Sequence, residues 1–315
     1  MSEEVSKRSV RWGGKIKAPI ALFAYNRPVH LRRTIEALLR NAQARQSDLF
    51  VFSDAAKSSG IAAEVDEVRR YIEHITGFAS VHVVQREENL GLARSIIDGV
   101  SQLCNEYGRV IVVEDDLVTS PHFLRYMNEG LDLYANDEQV ISVHGYVYPV
   151  KSALPETFFL CGADCWGWAT WKRGWDLFEY DGRVLLRELQ ERDLSHRFDF
   201  DGAYPFTEML RDQIAGKNDS WAIRWNASAF LKHKLTLYPG RSLVLNIGLD
   251  GTGTHPAETK EFSGAVADSR VAVERIACRE NEAVRLEIIK YFRNTKPSLR
   301  ARVARKLVDF VRRPG

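Results

Sequence analysis

Short apolar segments alternate with amphipathic segments over the first third of the chain, and no other feature constrains the fold as strongly. Apolar runs of strand length occur at residues 19–25, 49–52, 81–84 and 109–113. The segments between them carry apolar residues at helical spacing. Because strands separated by amphipathic helices form βαβ units, the pattern predicts an α/β fold with a mostly parallel sheet flanked by helices.

Composition excludes several classes of protein. The 315 residues are 45% hydrophobic and 27% charged, as in a globular chain with a full core. The 44 Lys and Arg residues nearly balance the 42 Asp and Glu residues, so no overall basic field favours a nucleic-acid partner. No apolar run approaches the roughly 20 residues that cross a bilayer, and the N-terminus lacks the apolar core of a signal peptide.

The four cysteines lack the spacing of a metal site, and their small number favours a reducing compartment. Cys104 and Cys278 stand alone, and Cys161 and Cys165 have no second pair at zinc-site spacing. We expect small buried thiols in a cytoplasmic protein, since a reducing compartment fits few cysteines and no signal peptide.

The chain divides into segments of different character. Residues 1–17 are polar and irregular and predict a flexible arm. The strand–helix alternation covers residues 18–117, the first half of an expected main domain, and a looser pattern covers its second half, residues 118–265. Residues 266–315 predict a C-terminal helical extension. Its last part, residues 298–313, forms a basic amphipathic pattern that indicates either contact with an anionic membrane surface or, more commonly, a solvated terminal helix.

Polar residues collect where the predicted strands end. Ligands bind at the carboxyl ends of strands in such sheets, so we expect the function at this edge. Its residues include Tyr25, Arg27, Asp54, Asn89 and the triplet Glu114, Asp115 and Asp116. An ordinary loop turn explains Asn89 and Gly91 equally well.

The acidic triplet is the most informative of these features. Three carboxylates at the exit of a buried strand repel one another unless a cation or strong donors compensate. Mg²⁺ and Mn²⁺ take oxygen ligands and often keep substrate phosphates as further ligands. Beside Arg27, the triplet therefore suits a metal that bridges a nucleotide diphosphate. Position alone is equally compatible with a solvated strand-to-loop transition whose acids cap the next helix.

Two segments resemble a known family. VIVVEDDLVTSPHFLRYM, residues 110–127, is similar to the metal-binding segment of the N-acetylglucosaminyltransferase I family, in which a strand ends in Glu-Asp-Asp-Leu before a Pro-x-Phe helix. PIALFAYNRPVHLRRTIEALL, residues 19–39, resembles that family's opening strand, Arg-containing turn and helix. The resemblance covers residues 18–135 and extends to glycosyltransferases of the GT-A fold, including bacterial enzymes of polysaccharide assembly.

The resemblance implies a metal-dependent, inverting transfer from a UDP-sugar. It implies that Asp54 binds the uracil base, that Arg27 faces the diphosphate and that Asp116 ligates Mn²⁺ or Mg²⁺. Glu114 and Asp115 would contact ribose and donor-sugar hydroxyls. Arg27 as a solvated turn residue and Asp54 as a cap of the helix that follows it are the structural alternatives.

An inverting transfer also needs a carboxylate that accepts the proton of the acceptor hydroxyl. The candidate is Asp219, which lies where the resembling family has two adjacent acids before a Trp-containing helix, although this chain has Asp219-Ser220. Asp219 as the N-cap of a helix beginning near Trp221 is the alternative. Asp164 is the reserve candidate for the base.

Two further features fit the same reaction. His255, in a Gly-rich segment that resembles the C-terminal loop of GT-A enzymes, would ligate the metal or touch phosphate, with a surface histidine as the alternative. Four of the seven Trp residues lie in Trp166–Trp175, and they favour either a sugar-stacking wall or core packing. Trp166 and Trp168 are the expected stacking residues.

We therefore expect a glycosyltransferase that transfers a sugar to a hydroxyl of a glycan or lipid-linked saccharide, at the inner face of the membrane, in bacterial surface polysaccharide synthesis. A sugar nucleotidyltransferase needs a Gly-rich loop after the first strand, and residues 24–28 contain no glycine. A non-catalytic carbohydrate-binding protein is the third hypothesis, and the presence of Asp116, Asp219 and His255 argues against it.

Overall fold

A computed structural model describes residues 17–248 and 266–295 of the chain. The strands in these residues are β1 Ile20–Ala24, β2 Asp48–Ser53, β3 Ser80–Gln85, β4 Arg109–Glu114, β5 Leu117–Thr119, β6 Val140–His144, β7 Thr157–Cys161, β8 Trp168–Trp171, β9 Leu235–Pro239 and β10 Val244–Asn246. The α-helices are α1 Pro28–Leu39, α2 Ala62–Ile72, α3 Gly91–Tyr107, α4 Phe123–Leu133, α5 Lys172–Trp175, α6 Gly182–Glu191, α7 Ser195–Phe198, α8 Phe206–Ile214, α9 Trp221–Leu231 and α10 Glu282–Thr295.

Eight strands form one sheet in the order β3-β2-β1-β4-β8-β6-β9-β7. The pairs β1·β2, β1·β4, β2·β3 and β6·β9 are parallel, whereas β8 and β7 pair antiparallel with their neighbours. Strands β7 and β8 thus run against the other six. This topology confirms the predicted α/β fold with a mostly parallel sheet, and α10 confirms a helical segment after the main domain.

The central strands are mostly apolar because helices cover both faces of the sheet. All five residues of β1 are buried. Successive side chains of a strand point to opposite faces, so Leu22 packs with Leu31 and Ile35 of α1, whereas Phe23 packs with Ile96 of α3 on the other face. Strand β3 lies at the edge of the sheet, and Val83 is accordingly 37% exposed.

A small second sheet brings a distant part of the chain to the carboxyl edge of β4. Strand β10 pairs antiparallel with β5, which follows the acidic triplet. Just beyond the ribbon, the backbone N–H of Ile247 donates to the carbonyl oxygen of Asp116 at 2.9 Å. The sequence pattern does not predict this ribbon, which brings residues 244–248 to the site.

The segment before α10 runs back across α4. Arg270 forms an ion pair with Glu129 at 3.0 Å, and Arg275 forms one with Asp137 at 3.1 Å. Helix α10 then packs its apolar side into a cluster that includes Phe158 of β7. These contacts fix the C-terminal segment against the main sheet.

Several expectations fall on parts of the chain that the structure does not describe. They are the arm at 1–17 (apart from Lys17), His255 and the basic stretch 298–313. Over the described residues, no helix combines the length and apolar character that crossing a membrane requires.

Candidate active site

The acidic triplet lies at the end of β4 and is anchored to the first turn of the sheet. Glu114 is the last residue of β4 and lies in register with Phe23 of β1. The backbone N–H of Tyr25 donates to Oδ2 of Asp115 at 3.1 Å, and the buried Thr34 hydroxyl donates to the Asp115 carbonyl oxygen at 2.8 Å. The β1–α1 turn therefore positions the triplet.

Arg27 contacts the last acid of the triplet directly. Its Nη1 lies 3.2 Å from Oδ2 of Asp116, and the two side chains are 15% and 18% exposed. Arg27 immediately precedes α1, whose first residue is Pro28, and it makes no side-chain cap to the helix. Its guanidinium is therefore directed at Asp116 and places a cation beside the three carboxylates.

The crowding of these carboxylates changes their titration. Burial, followed by the charge of Asp116, raises the pKa of Asp115 to about 7, although Arg27 lowers it. Burial raises the pKa of Glu114 well above its usual range, and the charges of Asp116 and Asp115 act in the same direction. Because Arg27 compensates only part of this charge, a further cation at the triplet would favour the ionised forms.

Gly248 lies directly against the ion pair. A Cβ atom at this position would come within 2.0 Å of Oδ2 of Asp116 and 2.7 Å of Nη1 of Arg27. Such distances are shorter than real Cβ contacts, so a side chain at this position would require the Asp116 carboxylate or the Arg27 guanidinium to move. No sequence motif marks Gly248, and its one signal is its position just before the glycine-rich segment that contains His255.

The donor set fits a hard divalent cation that completes its coordination from a substrate. Among residues 17–248 and 266–295, no group of three or more His, Cys, Asp or Glu side chains is arranged to hold a metal. Mg²⁺ in nucleotide sites is typically held by one or two carboxylates together with phosphates and water. The Asp116 carboxylate, which lies between Arg27 and Gly248, is an oxygen donor of the type that such sites use.

Asp54 holds the N-terminus of α3. Its Oδ1 accepts hydrogen bonds from the backbone N–H groups of Ala55 and Leu90, both at 2.9 Å. Its Oδ2 accepts from the backbone N–H of Gly91 at 2.9 Å and from the side-chain amide of Asn89 at 3.1 Å. A carboxylate offers about four acceptor positions, and all are used here. The base-binding role of Asp54 stays a prediction, while its structural role in capping α3 is observed.

Tyr25 and Asn89 connect neighbouring loops at the same edge. The Tyr25 hydroxyl accepts from the backbone N–H of Lys57 at 3.1 Å. The Asn89 side chain donates to the carbonyl oxygen of Ala55 at 2.7 Å as well as to Asp54. The loops after β1, β2 and β3 thus form one hydrogen-bonded surface.

Asp219 is exposed and lies beside a buried cation. Its side chain is 73% exposed, and Oδ1 lies 3.6 Å from Nη2 of Arg224. The N-cap of α9 is Ser220, whose hydroxyl accepts from the backbone N–H of Ile223 at 3.2 Å. The alternative that Asp219 caps this helix is therefore wrong, because the neighbouring Ser220 is the cap. The Asp219 carboxylate remains accessible.

The start of α9 lies at the same edge as the triplet. Trp221 stacks on Trp168 with ring centroids 5.4 Å apart. Trp168 is the first residue of β8 and pairs with Val112, two residues before Glu114. Asp219, two residues before Trp221, is thus brought to the edge where the acidic triplet lies.

Asp164 is held on a loop that also faces the triplet. Its carboxylate accepts from the hydroxyl of Tyr148 at 3.1 Å and from the backbone N–H of Cys165 at 2.9 Å. Burial raises the pKa of the Cys165 thiol well above its usual range, and the charges of Asp164, Glu114 and Asp116 add to this rise. Both candidate bases therefore lie near the edge that carries the triplet.

The two tryptophans expected to stack on sugars have different environments. Trp168 is fully buried and packs against Trp221 and Trp225. This packing is that of a core residue. A fully buried ring cannot stack on a sugar, so the stacking role expected for Trp168 is not supported by its burial. Trp166 is partly exposed and contacts Tyr146 edge-on at 4.8 Å.

Comparison with known proteins agrees with the resemblance found in the sequence. Residues 2–152 match the model of the GNT-I family, and this match confirms the resemblance. No curated protein matches the sequence of the whole chain.

Solved structures with similar folds include two enzymes described with nucleotide sugars and Mn²⁺. The mannosyltransferase PcManGT of Pyrobaculum calidifontis, in complex with GDP-Man and Mn²⁺, is 16% identical with a TM-score of 0.32, over 42% of this chain and 35% of that one. Glucosyl-3-phosphoglycerate synthase of Mycobacterium tuberculosis, in complex with Mn²⁺, UDP-glucose and phosphoglyceric acid, is 13% identical with a TM-score of 0.32, over 54% and 64%. S. aureus TarS is 12% identical with a TM-score of 0.31, over 47% and 25%.

The similar region thus spans about a quarter to two thirds of the length of these solved chains. The family match is confined to the N-terminal half of this chain, which carries β1–β4 and the acidic triplet. In that half, residues 2–152, the chain matches the GNT-I family, and the match supports a glycosyltransferase.

Proposed function

We propose that the chain is a metal-dependent, inverting glycosyltransferase that moves a sugar from a UDP-sugar to a hydroxyl of a glycan or lipid-linked saccharide. The observation that carries the proposal is the position of the Asp116 carboxylate. It lies at the carboxyl edge of the parallel strands, between the Arg27 guanidinium and the bare Cα of Gly248. Parallel sheets bind nucleotide ligands at this edge.

The donor would be held by groups from several loops. Asp116 would ligate Mn²⁺ or Mg²⁺, with His255 as a further ligand, and the bound metal would neutralise charge on the departing diphosphate. Arg27 would face the same diphosphate. Glu114 and Asp115 would accept hydrogen bonds from sugar and ribose hydroxyls.

The nucleobase of the donor would bind to the loops after β1, β2 and β3. Tyr25 and Asn89 would line this surface. Asp54 would act mainly by holding Asn89 and Gly91 in place, since both of its oxygens already accept hydrogen bonds. The expected nucleobase is uracil.

The transfer step needs one proton acceptor. The acceptor hydroxyl would attack the anomeric carbon as the bond from that carbon to the diphosphate oxygen breaks, and its proton would pass to the Asp219 carboxylate. The exposure of Asp219 supports this role, because the acceptor must reach the carboxylate from solvent. Asp164 is the reserve candidate, and its hydrogen bond from Tyr148 occupies one of its oxygens.

The cellular setting is part of the proposal. We place the reaction in the cytoplasm at the inner face of the membrane, in bacterial surface polysaccharide synthesis, with residues 298–313 as the membrane contact. All four cysteines are free thiols, in keeping with a reducing compartment.

Calorimetric titration with UDP tests the donor site, with GDP as the comparison ligand. Each titration is run with Mn²⁺ and again with EDTA, on the wild-type protein, on Asp116→Asn and on Asp66→Asn. Asp66 is an exposed acid on α2 and serves as the control for charge removal. We expect metal-dependent UDP binding that Asp66→Asn keeps and that Asp116→Asn weakens by about 100-fold, or about 2.7 kcal/mol. A UDP affinity that is the same with Mn²⁺ and with EDTA, and the same in Asp116→Asn as in the wild type, would overturn the proposal.

A further inference from the structure

A cavity of about 310 Å³ lies outside the residues assigned to the donor site. It opens between the start of α6 and the end of α8, on the helical side of the second half of the chain. Its lining residues are Tyr180, Asp181, Gly182, Arg183, Gln213 and Ile214. The volume is at the lower end of the range for small-ligand pockets, which suits a single sugar residue.

The wall of the cavity presents an aromatic ring to solvent. Tyr180 is 56% exposed, an unusual state for so large a side chain. Its ring is supported edge-on by Phe178 at 5.0 Å, and Phe178 in turn stacks on Trp175 at 4.8 Å. The ring is therefore braced by the core while remaining accessible, as a surface that packs on the apolar face of a pyranose requires.

Planar polar groups lie beside this ring. The Oε1 atom of Gln213 is fully buried and accepts no hydrogen bond from any described residue. A Cβ at Gly182 would come within 2.4 Å of this atom, so the glycine makes room for the amide. The Asp181 carboxylate, which caps α6 through the Arg183 backbone N–H at 2.8 Å, adds a second planar acceptor. A buried acceptor without a donor is costly, and a small shift of the Gln213 amide toward the cavity would let a ligand hydroxyl supply the donor.

One guanidinium joins this cavity to the candidate base. Arg224 is 8% exposed, and its Nη1 donates to the carbonyl oxygen of Tyr180 at 3.2 Å. Its Nη2 lies 3.6 Å from Oδ1 of Asp219, and its Nε donates to the carbonyl oxygen of Ser220 at 3.2 Å. The wall of the cavity and the segment that carries Asp219 are thus attached to the same buried side chain.

We propose that the cavity between α6 and α8 is a saccharide subsite that holds the acceptor glycan beside Asp219. This inference rests on the proposed function and adds the place and the chemical class of the acceptor. The ligand is an uncharged pyranoside, because a carboxylate and a guanidinium, Asp181 and Arg183, stand together at the rim and give it no net charge. Tyr180 stacks on the sugar ring, and Gln213 and Asp181 accept hydrogen bonds from its hydroxyls.

Saturation-transfer NMR with the full chain tests the subsite directly. The probes are the methyl glycosides of glucose, galactose, mannose and N-acetylglucosamine, each at millimolar concentration. We compare the wild-type protein with Tyr180→Ala, Tyr180→Phe, Gln213→Ala and the control Leu286→Ala, which removes an exposed side chain from α10. We expect at least one glycoside to bind, about tenfold weaker binding to Tyr180→Ala and Gln213→Ala, and unchanged binding to Tyr180→Phe and Leu286→Ala.

Two results would overturn the proposal. One is that none of the four glycosides binds the wild-type protein, and the other is that a glycoside binds equally well to Tyr180→Ala and Gln213→Ala. UDP titration of the same variants separates this inference from the proposed function. Metal-dependent UDP binding without glycoside binding rejects the subsite and leaves the glycosyltransferase. Glycoside binding at Tyr180 without any UDP binding rejects the enzyme, and the acceptor role of the subsite fails with it.

Discussion

The Cα atom of Gly248 packs directly against the carboxylate of Asp116. A Cβ at this glycine would come within 2.0 Å of Oδ2, so any side chain here requires the Asp116 carboxylate to move, together with the Arg27 guanidinium that contacts it at 3.2 Å. The ribbon of β5 and β10 fixes this approach, since it pairs the strands that flank both residues. The second half of the chain thus shapes the acidic site of the first half.

The substitution Gly248→Ala should therefore damage the donor site more than the fold. We expect Mn²⁺-dependent UDP binding to weaken by about tenfold or more, equivalent to about 1.4 kcal/mol, because the added methyl group displaces the Asp116 carboxylate or the Arg27 guanidinium. Calorimetry measures the affinity, and urea unfolding measures the stability. Gly60→Ala is the matched control, since the nearest atom to its Cβ is 3.8 Å away. Equal UDP affinity in the two variants would contradict a tight contact of Gly248 with Asp116.

The substitution Asp54→Asn should destabilise the protein. One of the two oxygens that accept from Leu90, Gly91 and Asn89 becomes an amino group that faces N–H donors. We expect the free energy of unfolding to fall by about 1–3 kcal/mol, measured by urea denaturation. Asp98→Asn on the exposed side of α3 is the control and should have no such effect.

The same variant separates two roles of Asp54 in nucleotide binding. If Asp54 only holds α3 and its loop, the affinities for UDP and GDP should fall by the same factor. If Asp54 contacts the base, the preference for UDP over GDP should change. The structure favours the first result, because the four acceptor positions of the carboxylate are already used.

The first half of the fold was predictable from the sequence because its signals are local. The buried strands β1 and β4 lie within one residue of the apolar runs at 19–25 and 109–113. Since the strands are parallel, the residues that follow them had to meet at one edge. The contact between Arg27 and Asp116 is the result.

The second half was less predictable because its contacts join distant parts of the chain. Gly248 meets Asp116 through antiparallel pairing of two three-residue strands, and such short strands leave no periodic pattern. Trp168 was expected to stack on a sugar, but β8 lies between β4 and β6 and Trp168 is fully buried. The pairing of strands determines both the contact of Gly248 with Asp116 and the burial of Trp168. Local sequence patterns do not predict this pairing.

Acid should destabilise the protein through His144. The side chain is fully buried, and burial is the main cause that lowers its pKa below the usual value. Its Nε2 accepts a hydrogen bond from the backbone N–H of Trp166 at 3.1 Å, and a protonated ring could not accept this bond. As the pH falls, His144 is therefore protonated in the unfolded chain at a higher pH than in the folded protein. The stability is complete above a pH of about 6.5 and is lost as the pH falls toward the pKa of the folded protein.

Urea unfolding at a series of pH values measures this effect. We expect the wild-type free energy of unfolding to fall, relative to His144→Gln, by up to about 1.4 kcal/mol per pH unit below a pH of about 6.5. Taking the difference between the two proteins removes the contribution of Asp115 and the other groups common to both. His74→Gln, at an exposed site, should keep the wild-type slope. The same slope in His144→Gln as in the wild type would show that His144 is not responsible.

Removal of the Asp219 carboxylate should slow the transfer without weakening the donor complex. Asp219 is exposed, and among residues 17–248 and 266–295 its carboxylate contacts only Arg224, in a long ion pair at 3.6 Å, so Asp219→Asn should fold normally. If the carboxylate accepts the proton of the acceptor hydroxyl, kcat for sugar transfer should fall by about 10²–10⁴-fold, while the affinity for UDP and Mn²⁺ stays at the wild-type value. Asp164→Asn provides the comparison, because that carboxylate accepts from Tyr148 and Cys165 and its loss should lower stability. A large loss of kcat in Asp164→Asn with full activity in Asp219→Asn would move the base to the loop before β8.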